Sequence, residues 1–205
     1  MKEFILERSH YVKILEKWRK KHVIKVATGI RRAGKSSVFL MYEESLKKSG
    51  VSESNIIHLN LEDLTNAELL DYKKLYAYIK EKTAGTEDFY IFIDEVQQCP
   101  SFEKVLDSLF LDPRLDIYVT GSNAYFLSGE LATLLSGRYV EVHIQPLSFE
   151  EYLLFNKKEP SINMKKNASF LESIFQGDSF RIFLFLMTMR KTTVLTWRAY
   201  SIRFL

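Results

Sequence analysis

From residue 22 to about residue 147 the chain alternates short apolar runs with longer amphipathic stretches. The apolar or β-branched runs are Val23–Thr28, Asn55–Leu61, Phe89–Ile93, Leu115–Thr120 and Tyr139–Ile144, each of strand length. Phe89–Ile93 has no polar interruption, as expected of a strand covered on both faces. Between the runs, residues 35–48, 71–83 and 102–111 place apolar side chains at helical spacing, with Leu75, Tyr78 and Ile79 predicted on one inner face. Upstream, Tyr11, Ile14, Leu15 and Trp18 predict an amphipathic helix over residues 8–20. Shorter helices are expected around 130–135 and from 149 to 155. Strands alternating with helices, without internal repeats or a Gly/Ser linker, predict an α/β fold: about five parallel strands with helices on both faces.

Composition changes this picture little. The 205 residues are 46% hydrophobic and 27% charged, the balance of an ordinary globular protein. A single Cys99 excludes an internal disulfide and leaves no zinc set. The charged, amphipathic amino terminus is not a signal peptide, and no apolar run reaches the ~18 residues of a membrane span. A cytoplasmic location is the expectation. The net charge of +3 comes from residues 179–205, which hold five basic side chains and no acid. The remainder has 24 basic against 26 acidic residues, which argues against a nucleic-acid partner. Arg19, Lys20 and Lys21 are expected to be a solvated helix end rather than a nucleic-acid contact.

Chemistry enters at Gly29–Ser36, GIRRAGKS, the pattern G-x-x-x-x-G-K-[ST] between a predicted strand and a predicted helix. Such a loop turns successive backbone N–H groups towards phosphate oxygens, and the helix adds the positive end of its dipole. The candidate phosphate-binding set is Gly29, Ile30, Arg31, Arg32, Ala33, Gly34, Lys35, Ser36 and Ser37. Lys35 is expected on the β- and γ-phosphates and the Ser36 hydroxyl on Mg²⁺. Arg31 and Arg32 either clamp phosphate or face solvent. The architecture expected is therefore the three-layer P-loop nucleotide-binding fold, with ATP and Mg²⁺ as ligands.

The apolar run IFI ends in Asp94-Glu95, ~65 residues after the loop begins. Asp94 is placed to hold Mg²⁺ through its waters, and Glu95 to orient and polarise the water that attacks the γ-phosphate. Ser122 and Asn123 follow the next strand and face the same edge, where one of them, Ser122 ahead, would act as a sensor; turn chemistry also explains them. Asn60 and Glu62, at the exit of the second strand, either face the nucleotide or cap the next segment. Arg138 begins the fifth strand and is either a finger for a neighbouring subunit in a homo-oligomer or a salt-bridge partner of an acidic helix.

In order along the chain, GIRRAGKSS, YIFIDEVQ, VTGSN and LLSGRYVEVHIQPLSFEEY resemble the prokaryotic AAA-type ATPases that carry a C-terminal domain of unknown function. The resemblance covers roughly residues 8–155. It implies a P-loop core in which one strand separates the loop strand from the strand carrying Asp94, and it implies adenine rather than guanine as the base. Lys35 and Ser36 match Walker A, Asp94 and Glu95 match Walker B, Ser122 lies in the sensor segment, and Arg138 matches the family's Ser-Gly-Arg arginine. The implied organisation is an N-terminal helix (1–21), an ATPase core (22–147), the start of a helical region (148–178) and an atypical tail (179–205).

That tail lacks acid, glycine and proline and departs from the family pattern near Phe175. A change of reading frame is the expectation here. Met187-Thr188-Met189 permits an alternate frame that opens on aspartate and continues as an acidic, globular-looking stretch. A tail that binds a membrane surface or a partner is the alternative, weakened by the lack of a helical apolar period. For the chain as a whole, Mg²⁺-dependent ATP hydrolysis is expected first. A nucleotide-binding regulatory or adaptor module with little turnover comes second, and a small-molecule P-loop kinase last.

Overall fold

The computed structural model describes residues 8–121, 135, 137–147 and 151, all of which belong to one unit, Met1–Lys158. Ser122, Asn123, the helices expected at 130–135 and 149–155, and the tail with its proposed frame change lie outside the described residues, Leu135 and Glu151 excepted.

Chain order is α1 (Ser9–Lys17), β1 (Ile24–Thr28), α2 (Lys35–Lys48), β2 (Ile56–Asn60), α3 (Tyr72–Lys82), β3 (Phe89–Asp94), α4 (Phe102–Phe110), β4 (Leu115–Thr120) and β5 (Tyr139–His143). The five strands form one sheet in the order β2-β3-β4-β1-β5, and every pairing is parallel. β4 therefore separates the loop strand from the strand carrying Asp94, the arrangement that the resemblance implies. Strand character follows position in the sheet. The central strands β1, β3 and β4 are buried along their whole length, whereas the edge strands β2 and β5 are mostly half-buried or exposed.

The pleat divides the core in two. On one face Ile24, Val26, Ile91, Ile93, Ile117 and Val119 pack against Leu75 and Ile79 of α3 and against α4. On the other, Ala27, Tyr90, Phe92 and Tyr118 pack against Val38, Phe39, Tyr42 and Leu46 of α2 and Tyr11 and Leu15 of α1. This second face also holds a buried ion pair, Lys25 with Asp116. Asp116 Oδ2 further accepts from Tyr118 Oη at 2.8 Å and from the Lys20 N–H at 2.8 Å. Burial pushes the Lys25 ammonium below its usual pKa, against the pull of Asp116.

One local expectation is corrected, and one element is added that the sequence reading did not assign. Ile14, placed on the inner face of α1 by spacing, is exposed; Val12 packs there beside Tyr11 and Leu15. The segment after β2 forms a 3₁₀ helix, Leu64–Leu70, started by Asp63, whose carboxylate accepts from the Thr65 N–H at 2.9 Å. The helix-end cations Arg19, Lys20 and Lys21 make intramolecular contacts. Arg19 donates to Tyr90 Oη at 2.9 Å, Lys20 pairs with Asp88, and Lys21 lies 5.1 Å above the Trp18 ring.

Candidate nucleotide-binding site

β1 delivers the chain to the carboxyl edge of the sheet, and Gly29 turns it at once. Its φ of 144° brings the backbone so close to β5 that an added Cβ would lie 2.3 Å from the Ile144 carbonyl oxygen. Arg32 (φ 64°) and Gly34 (φ 91°) then reverse the chain into α2, whose first residue is Lys35. The loop is a tight bend between β1 and α2.

Lys35 points back into that bend. Its ammonium donates to the Gly29 carbonyl at 3.2 Å and the Ile30 carbonyl at 3.4 Å, and the side chain is buried. It also stands 3.8 Å from Glu95 Oε1. The two residues that the sequence assigns to phosphate and to water activation are thus neighbours across the loop. Ser36 and Ser37 are exposed in the first turn of α2. Arg31 and Arg32 are exposed too, and Arg31 approaches Glu62 at 3.9 Å. Ala33 is buried.

Asp94 closes β3 and is buried. Ile93 pairs with Val119, so Asp94 and Thr120 come side by side at the same edge. Thr120 Oγ1 donates to Asp94 Oδ1 at 2.9 Å and accepts from the Glu95 N–H at 2.9 Å. One hydroxyl therefore fixes both acids. Glu95 takes the left-handed region, φ 51° and ψ 50°, a strained conformation for a side chain with a Cβ. Its Oε2 accepts from Gln97 Nε2 at 2.5 Å.

On the other side of Asp94, His58 of β2 places Nε2 3.3 Å from Asp94 Oδ2, and its Nδ1 meets Glu43 of α2. Burial alone would lower the imidazole pKa, but the hydrogen bonds to Asp94 and Glu43 and their negative charge outweigh it, raising it to about 9.

The loop itself is gripped from behind by Arg8, a buried arginine. Nη1 donates to the Ala33 carbonyl at 2.9 Å, Nη2 to the Gln145 carbonyl at 2.8 Å, and Nε to Glu151 at 3.0 Å. Its guanidinium lies over the Tyr11 ring at 4.6 Å.

The structure thus brings together Lys35, Asp94 and Glu95, and adds Thr120, His58, Gln97 and Arg8, which sequence reasoning missed. The signal for Thr120 and His58 was positional: each lies on a strand next to β3, on the face that carries Asp94. Asn60 Oδ1 accepts from the Glu62 N–H at 2.9 Å, a turn-capping role. Arg138 lies at the opposite edge of the sheet. Its carbonyl accepts from the N–H of Ile24, the first residue of β1, and its guanidinium donates to Asp107 of α4 at 2.7 Å.

Among the described residues, no cluster of three or more His, Cys, Asp or Glu side chains forms a metal cage. The donors that are present, a hydroxyl at Ser36 and one carboxylate at Asp94, are hard oxygens. They fit Mg²⁺, which keeps waters and takes phosphate oxygens for its remaining positions.

Comparison with known proteins agrees with this architecture. The chain is 40% identical over 154 residues to an uncharacterized protein of Haemophilus influenzae, covering 75% of this chain and 38% of that protein. It is 34% identical over 152 residues to the uncharacterized protein MJ1544 of Methanocaldococcus jannaschii, covering 73% and 31%. The chain therefore spans about a third of the length of these relatives. In structure it is similar to AMPPCP-bound DnaA from Aquifex aeolicus, with a TM-score of 0.54 at 14% identity over 97% of this chain and 67% of that one. A family model described as an AAA domain matches residues 21–153. With its all-parallel sheet, its phosphate-type loop and Asp94 one strand removed from that loop, the chain belongs to this AAA domain family of P-loop, ATPase-type nucleotide-binding proteins.

Proposed function

We propose that the chain binds ATP with Mg²⁺ and hydrolyses its γ-phosphate. The observation that carries this reading is the meeting of Lys35 and Glu95 at 3.8 Å across the loop. A cation for the phosphates and a base for the attacking water then face each other across the loop. In this reading the backbone of residues 29–37 and Lys35 grip the β- and γ-phosphates, while Ser36 and Asp94 hold Mg²⁺. The metal, when bound, neutralises developing charge on the phosphates. Glu95 orients the water, and Ser122 senses the γ-phosphate.

Arg138 is proposed to serve a neighbouring subunit of a homo-oligomer rather than its own site, because it sits at the edge of the sheet away from the loop. That role requires its release from Asp107. A finger of this kind is worth roughly 10³–10⁵ in rate, so turnover would rise steeply with protein concentration.

A second reading, a nucleotide-binding module with little turnover, is favoured by one observation. Both oxygens of Glu95 are engaged, one near Lys35 and one by Gln97, so the base is not free for water in this arrangement.

Binding of a fluorescent ATP analogue and phosphate release, measured on the same preparations over a range of protein concentrations, decide between them. Lys35→Ala is expected to lose binding. Glu95→Gln is expected to keep binding and to lose turnover by roughly 10²-fold or more. Full hydrolysis by Glu95→Gln would remove that residue from the mechanism, and saturated binding by the parent chain without phosphate release would establish the second reading.

A further inference from the structure

Asp94 is held from both flanking strands at once. Thr120 of β4 takes Oδ1, and His58 of β2 takes Oδ2. In the register of the sheet His58 pairs with Phe92, two residues short of the Asn60–Asp94 pair. His58 and Asp94 are therefore diagonal neighbours on the face that α2 covers. The other ring nitrogen of His58 reaches Glu43, so the ring spans two carboxylates. The two nitrogens sit on opposite sides of one rigid plane, so a single ring meets both carboxylates at once and its orientation is fixed from two sides. Phe92 stacks on the ring at 6.2 Å and 21°, which limits its tilt.

Glu43 connects the pair back to the loop. Lys35, Phe39 and Glu43 follow one another at four-residue intervals and are all buried, so they line the inner face of α2. A line of contacts thus runs from the helix that starts at the phosphate loop, through Glu43 and His58, to the acid that ends β3. If tying α2 to β2 were the only purpose, the Glu43–His58 contact alone would do it. The second contact, to Asp94, aims the ring at the proposed metal site.

We propose that His58, oriented by Glu43, is a positioning residue for Asp94, fixing the carboxylate that would receive Mg²⁺ and thereby setting the Mg²⁺ dependence of nucleotide binding. This rests on the nucleotide reading above. Partners of this kind, one step behind a metal ligand, typically carry 10- to 100-fold in metal affinity.

The test uses the full chain, a fluorescent ATP analogue and a Mg²⁺ titration. His58→Phe, which keeps a ring against Phe92, is expected to raise the Mg²⁺ concentration for half-maximal binding enhancement by roughly tenfold or more. Glu43→Gln should shift it in the same direction by less. In an Asp94→Asn background, His58→Phe should add no further shift, because its route to the metal is gone. A merely structural role predicts the reverse: an altered melting temperature, an unchanged Mg²⁺ midpoint and equal effects in both backgrounds. That result would overturn the proposal. If His58→Phe does not fold, His58→Gln, which retains one donor, replaces it under the same criteria. Absence of nucleotide binding by the parent chain would show itself before any substitution. It would dismiss the nucleotide reading and this inference together, whereas normal parent binding with an indifferent His58 would dismiss the inference alone.

Discussion

Lys35 and Glu95 lie 3.8 Å apart across the loop, and each is also held by its own neighbours. Lys35 rests on the carbonyls of Gly29 and Ile30, and Glu95 on the amide of Gln97. A triphosphate would draw the ammonium away from these oxygens and meet the carboxylate as a like charge. Glu95→Gln removes that repulsion and the competing partner for Lys35 together. Its affinity for an ATP analogue is expected to equal or exceed that of the parent several-fold, by fluorescence titration. Binding more than tenfold weaker would mean that Glu95 supports the loop rather than opposing the ligand.

Gly29 is where the loop is most tightly built. Alanine there pays for a φ of 144° and also drives its Cβ to 2.3 Å from the Ile144 carbonyl oxygen. The oxygen is backbone, so β5 or the loop must move. Gly50→Ala is the matched control, with a φ of 92° and nothing within 4 Å of the added Cβ. The control should cost about 1 kcal/mol, whereas Gly29→Ala should cost more and lose nucleotide binding. Equal melting temperatures and equal binding in the two variants would show that the close approach carries no weight.

The elements that set the architecture were legible because they are periodic. Ile91, Phe92 and Ile93 announce a strand with no exposed face, and Lys35 to Lys48 announce a helix after a glycine turn. Leu64–Leu70 was not legible: it has no apolar period, and it is set by Asp63 accepting from Thr65. Within the site, Lys35, Asp94 and Glu95 were readable because chemistry ties each of them to a local pattern. Thr120, His58 and Arg8 were not, since the partners that tie them to the site are 25 or more positions away and come close only through the tertiary fold, by strand register for Thr120 and His58. The place of Arg138 at the far edge was implicit. A residue that opens a parallel strand lies opposite the edge where Thr28, Asp94 and Thr120 end theirs.

Arg8 is expected to be a structural requirement of the loop. Its three nitrogens serve the Ala33 carbonyl, the Gln145 carbonyl and Glu151 from a buried position. Truncation strands a carbonyl of the phosphate loop without its charged donor and leaves the part-buried Glu151 without this partner, and leaving such a group unsatisfied costs roughly 1–3 kcal/mol. Lysine does not reproduce the planar fork, so Arg8→Lys should recover little of the loss. Urea denaturation of the parent, Arg8→Ala and Arg8→Lys measures this directly. A lysine variant as stable as the parent would mean that charge, not geometry, is what the loop needs.

Cys99 tests the packing of the α3–α4 face. Burial, reinforced by the negative charges of Asp71 and Glu103, pushes its thiol up to about 11 from an unperturbed 9.0. The reactive thiolate is then roughly a hundredfold scarcer in the folded chain than in the unfolded one at the same pH. With a single cysteine in the sequence, a thiol-reactive dye reports on this site alone. At pH 8 the folded protein is expected to label at least a hundredfold more slowly than the urea-unfolded chain. The linked effect on stability has a definite sign. Between pH 9 and 11 the unfolded chain gives up this proton while the folded chain keeps it, so stability falls as pH rises through that window. Cys99→Ala lacks the group and should show a shallower fall. Complete labelling of the native parent within the mixing time at pH 8 would place the thiol in solvent and contradict the packing of α4 against the sheet.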